Sequence, residues 1–117
     1  MAVHIFEPIH FAVGSWHQFN HADFNTAINP AGTKLRVVFG SDLGHWDVAD
    51  AEGVVAEAYE LVERNLINED DFRAFMLDNP VQLYTGNNPG FFDGTRCSDA
   101  VRARAETLTQ SSPARQR

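Results

Sequence analysis

The sequence predicts an α/β fold, and three observations along it carry that expectation. An apolar run, Leu35 and Val37 to Phe39, is rich in the β-branched and aromatic residues that favour strands, and Gly40 ends it. Polar side chains follow at once: Ser41, Asp42, His45 and Asp47. Then Val54, Val55, Ala58, Leu61 and Val62 recur at the spacing of one apolar helix face. Strand, charged turn and helix in that order make one βα unit of a parallel fold, which carries its chemistry where strands end and loops begin. Asp42 stands at that position. It and Ser41 could equally serve as turn formers that hydrogen-bond their own backbone.

Before this unit, Val3, Ile5, Ile9, Phe11 and Val13 share one strand parity, with Pro8 interrupting the pattern or forcing an edge position. Ser15-Trp16-His17-Gln18 has the form of a capping box and opens a helix expected to reach Ile28, with Phe24, Ala27 and Ile28 on its buried side. Asn29-Pro30-Ala31-Gly32 then turns the chain into the strand. After the strand, Asp50 is the expected N-cap of the next helix, whose first turn Gly53 weakens by about 1 kcal/mol relative to alanine. Glu57, Glu60, Glu63 and Arg64 form its solvated side. Asn68 is placed to cap a short helix carrying Phe72, Phe75 and Met76, and Asn79-Pro80 opens another, where the missing proline N–H costs nothing. Val81, Leu83 and Tyr84 supply that helix with apolar contacts, and Gly86 is its expected stop. Asn88-Pro89 repeats the device for a turn holding Phe91 and Phe92. Apolar content falls from Ser98 onward. Ala100 to Leu108 reads as a frayed helix and Gln110 to Arg117 as a disordered tail.

With 117 residues the chain suffices for one modest domain with a core. Its net charge of −7 and lack of a basic block argue against nucleic acid, since neutralising phosphates takes clustered Lys and Arg. The single cysteine, Cys97, forms no internal disulfide and fits a reducing, cytoplasmic setting. It also directs any metal to His and carboxylate ligands. No apolar run approaches the ~18 residues of a membrane span, and no signal-peptide pattern opens the sequence.

Phe39-Gly-Ser-Asp-Leu-Gly-His-Trp-Asp-Val48 and the helix through Glu57-Ala-Tyr-Glu-Leu-Val-Glu63 resemble the last barrel strand and following helix of the amidohydrolase family. Within it, they resemble the branch of metal-dependent hydrolases and decarboxylases related to aminocarboxymuconate-semialdehyde decarboxylase. Asn68-Glu-Asp-Asp-Phe-Arg73, Asn79-Pro-Val-Gln-Leu-Tyr84 and Asn88-Pro-Gly-Phe-Phe92 continue the likeness, which spans residues 23 to 101. The resemblance implies the C-terminal βα segment of a TIM (β/α)8 barrel, an incomplete barrel with several helices after the last strand. A whole barrel takes about 250 residues, so the missing strands would lie elsewhere. It implies a partial barrel over 1–97, with 1–22 unmatched, and a largely disordered extension over 98–117.

The same resemblance makes Asp42 both the catalytic and the metal-binding residue, holding a divalent ion, zinc by preference, and handling protons on the attacking water. The implied activity is hydrolysis or non-oxidative decarboxylation of a small organic substrate. Catalytic zinc takes three protein ligands and an open position, and the chain has no His-x-His pair, so the fragment alone is expected to be inactive. A homo-oligomer or a complementing barrel chain would supply the rest. The alternative expectation is a non-catalytic binding or structural module that acts through association.

His45 and Trp46 are candidates to contact substrate or orient a ligand, against packing or helix capping as the plain alternatives. Asp47 is more simply a capping residue. His17 and His21, one helical turn apart, could share a non-catalytic metal, but Gln18 stands where a zinc protease needs its glutamate. His4 and His10 share strand parity and carry no assigned role. Cys97, with no histidine beside it in sequence, is expected to be inert.

Overall fold

Strand β2, Arg36–Gly40, pairs in parallel with strand β1, Ile9–Val13, in the register Ile9 with Arg36 through Val13 with Gly40. The computed structural model describes the backbone of residues 9–13 and residues 22, 24–41, 44, 46, 50 and 52–111. Val37 and Val38 are both buried in β2 although their side chains leave opposite faces, so the strand is covered above and below. The chain divides into two compact units, Met1–Met76 and Leu77–Arg117.

In the first unit, helix α1 spans Val54–Glu63 and a short helix α2 spans Glu69–Arg73. Ala58 and Leu61 of α1 join Phe24, Val37, Ile67 and Phe75 in one buried cluster, with Leu35, Phe39, Val62, Phe72 and Met76 packed around it. Val55 was expected on that apolar face but is 50% exposed. Asp50 was expected to cap α1; its carboxylate instead accepts from the Glu52 N–H at 2.9 Å, and Gly53 stands at the cap position. A Cβ at Gly53 would come within 2.8 Å of the Asp50 carboxylate, which would have to swing aside. At the other end, Asn65 takes a left-handed conformation (φ 56°) while the N–H groups of Asn65 and Leu66 return to the carbonyls of Val62 and Leu61. This is a Schellman ending, and asparagine is one of the few side chains that tolerates it.

The expected helix towards Ile28 fails over the residues described. Asn25 Oδ1 accepts from the Ala27 N–H at 2.9 Å, a local bond that competes with helix formation, and Ala27 and Ile28 are exposed while Phe24 is buried. Asn68 does cap α2: its Oδ1 accepts from the Asp71 N–H at 2.8 Å while the Asp71 carboxylate accepts from the Asn68 N–H at 3.4 Å.

The backbone beyond α2 winds as a π turn over Ala74–Asp78, and α3 follows at Asn79–Asn87 with Pro80 in its first turn. An α-helical path would put the ring of Pro80 against the Met76 carbonyl, and the wider turn ends two residues before the proline. In the second unit α3 runs past Gly86, the expected stop. It ends where Asn88 becomes extended (φ −144°, ψ 101°), as the residue before Pro89 is constrained to be. Helix α4 spans Ser98–Ser111, longer at both ends than Ala100 to Leu108. The side chain of Asp78 receives Arg104 Nε and Nη2 at 2.7 and 2.8 Å, a bidentate pair.

These elements overturn the expected βα segment of a TIM (β/α)8 barrel: the described chain is mostly helical. Its strands form one parallel pair of five residues each, and no described residue beyond Gly40 adds another. The strand–turn–helix pattern is local and common to any βα unit, whereas a barrel exists only when its strands pair around a closed ring. Among the described residues no helix is long and apolar enough to cross a membrane.

Candidate functional site

Because β1 and β2 are parallel and end together, with Val13 opposite Gly40, the chain leaves both strands from the same end. Ser41, half-buried, is the first residue beyond β2, and Asp42 is the next in sequence. The strand that leads there is anchored near its end by Phe39 and at its entry by Lys34. Phe39 meets Phe75 edge-on at 5.5 Å, and Phe24 meets the same ring at 6.1 Å. Just before β2, Lys34 Nζ donates to the largely buried Asp71 carboxylate at 2.6 Å. Asp71 thus serves two partners, the Asn68 backbone and the Lys34 ammonium, and ties α2 to the entry of the strand.

Of the candidate residues, Asp42, His45, His17 and His21 lie outside the described residues, as do Asp47 and His4. His10 falls in β1, with its backbone paired opposite Val37. Trp46 is 87% exposed, which removes core packing from its alternatives and leaves a ring on the surface. Cys97 is exposed, with Thr95 Oγ1 at 3.3 Å from its sulfur. Among the described residues no three His, Cys, Asp or Glu side chains gather as a metal-ligating group.

Several polar contacts escaped the sequence reading. Lys34 and Asp71 are 37 residues apart and Asp78 and Arg104 are 26 apart, too far for any local pattern to join them. On the α1–α2 side Tyr59 donates its hydroxyl proton to Glu69. That hydrogen bond, followed by desolvation and the charges of Glu69 and Glu63, raises the phenol above its ordinary pKa. The hydrogen bond to Asp78 likewise raises that of Arg104, opposed by desolvation and reinforced by the Asp78 charge. Tyr59 and Glu69 begin or lie within predicted helices, but nothing in the sequence orients one helix against the other.

No family model, no curated protein and no solved structure matches the chain.

Proposed function

We propose that this chain is the C-terminal part of a metal-dependent, amidohydrolase-like hydrolase or decarboxylase acting on a small organic substrate. Asp42 is its metal-binding and proton-transfer carboxylate, and the remaining ligands come from another segment or a complementing chain. The observation that carries the reading is the position of Asp42 in sequence, two residues beyond the end of a strand that is paired in parallel and buried on both faces. Loops at that end are where parallel folds place reacting groups. The ordered pieces of the family resemblance add support: the Asn68–Arg73 piece is bonded to the entry of β2 through Asp71 and Lys34. One carboxylate does not hold a catalytic zinc, so the chain alone is inactive in this reading. When bound, the ion would lower the pKa of its water towards ~7, and Asp42 would orient that water and take its proton. His45 and the exposed Trp46 would contact substrate, and the acidic charge and single thiol fit the cytoplasm.

The test is metal content of the purified chain at a defined oligomeric state, wild type beside Asp42→Ala. About one zinc or manganese per chain, lost in the variant, supports the reading, as Asp42 is then a ligand in an assembled site. Metal retained in Asp42→Ala sinks it, and none bound by either protein after adding the ions sinks a site assembled from this chain alone.

A second reading, a non-catalytic module acting through association, is favoured by exposed apolar side chains on the first unit: Trp46, Ile28 and Val55. It expects self-association that Trp46→Ser weakens in sedimentation, with metal content unaffected.

A further inference from the structure

The second unit carries a feature that neither reading uses. One face of α4 presents Val101, Arg102, Ala105 and Glu106, spaced three and four residues apart, to a cleft of about 420 Å³ whose opposite wall is Pro89 and Phe92. The volume falls within the range of small-molecule sites, roughly 300–1,000 Å³. The floor is apolar, from Phe92, Pro89, Val101 and Ala105, and the charges stand around it. Arg102 is already engaged, donating to Asp93 at 3.3 Å and lying 3.9 Å from Asp99. The Glu106 carboxylate has no hydrogen bond or ion pair among the described residues and is the charge left to a ligand. One guanidinium against the lining carboxylates of Asp93 and Glu106 leaves a local charge of −1, the sign of the whole chain at −7.

We propose that this cleft binds a small organic ammonium compound with an apolar or aromatic body, the ammonium at Glu106 and the body against Phe92, Pro89 and Ala105. Three features select that class. An anion would meet two carboxylates and a guanidinium already shared between partners. A neutral apolar molecule would leave the Glu106 charge unused at the rim. An ammonium gains that charge and shares the cleft with the aromatic ring of Phe92, and such rings attract cations. The site lies within the second unit and does not involve Asp42, so it stands or falls apart from the proposed metal chemistry.

The experiment is titration of the full chain with phenethylammonium chloride, followed by amide chemical shifts in NMR, beside 2-phenylethanol and phenylacetate as neutral and anionic counterparts. The expected result is saturable shifts at residues 89–93 and 101–106, with the ammonium binding more tightly than both counterparts. Glu106→Gln, an exposed change that leaves the helix intact, should weaken the ammonium about two- to five-fold, as for a solvent-exposed charge pair, and leave 2-phenylethanol unchanged. Ala105→Trp should abolish binding of both by filling the cleft. Failure to saturate, shifts confined to other residues, equal or tighter binding of a counterpart, or an unchanged ammonium affinity in Glu106→Gln would each overturn the proposal.

Discussion

Phe75 in the first unit is fully buried, with Phe24 and Phe39 edge-on to its ring, whereas in the second unit Tyr84 stacks on Phe91 and Phe92 meets both edge-on, Phe91 being 49% exposed. Both arrangements use aromatic rings at comparable separations, yet they contribute differently. Taking a whole phenyl ring out of water is worth about 1.5–3 kcal/mol, while a ring pair beyond its buried area adds about 0.5–1.5 kcal/mol. The first unit is therefore held chiefly by burial, with Phe75 at its centre. The second has buried Val81 and Val101 and adds a polar clamp, Arg104 on Asp78. The lesson is that aromatic content alone does not locate a core; the neighbours that exclude water do.

The largest test of this contrast is Phe75→Ala, expected to cost about 3–5 kcal/mol in urea unfolding because the surrounding rings cannot close over the cavity. A loss below ~1 kcal/mol would mean that burial is not what holds the first unit. Next comes Asp71→Ala, which removes the capping box and leaves the half-exposed Lys34 without its carboxylate. A loss of about 1–2 kcal/mol is expected, and Asp71→Asn should recover the capping part only. Phe91→Ala should cost about 1 kcal/mol, well below Phe75→Ala, and a larger effect would make the surface stack a second core. Arg104→Lys, unable to engage both Asp78 oxygens, should lower the unfolding midpoint by less than Asp71→Ala, and the effect should vanish when Asp78 is already asparagine.

The smallest effect is in pH. The Tyr59 phenol is raised above 10.0 by its bond to Glu69, so the folded state holds that proton more tightly than the unfolded chain. Its contribution is fully present below the unfolded value and is lost as pH rises through the folded one. Ultraviolet titration should show one phenol shifting to lower pH in Glu69→Ala; an unmoved titration would remove the Tyr59–Glu69 bond from the account.

Where a residue acts on its immediate neighbours, the sequence was enough. Val37 to Phe39 lie in a strand, Arg36–Gly40, because β-branched and aromatic side chains fit a covered, pleated ladder. Asn68 caps α2 because its partner is three residues away, and Pro80 opens α3 because that position needs no N–H. The failures came where a local preference met a competitor. Asn25 captured the Ala27 N–H that a helix required, Pro89 ended α3 where Gly86 did not, and Asp50 served the turn rather than the helix. The candidate site was legible only as a position along the chain: Asp42 follows a strand end, and His45, His17 and His21 lie outside the described residues.

By itself, then, the sequence determined the strand ending at Gly40, the Asn68 cap, the Pro80 start of α3 and the acidic charge, all read from single residues and their near neighbours. Only the tertiary structure decided that β1 and β2 pair alone among the described strands, that Val55 and Trp46 face outward, and that Lys34 finds Asp71 and Arg104 finds Asp78. The physical reason is common to all of these. Burial and ion pairing depend on which distant surfaces meet, and a barrel-like strand signal becomes a barrel only if further strands arrive to pair with it.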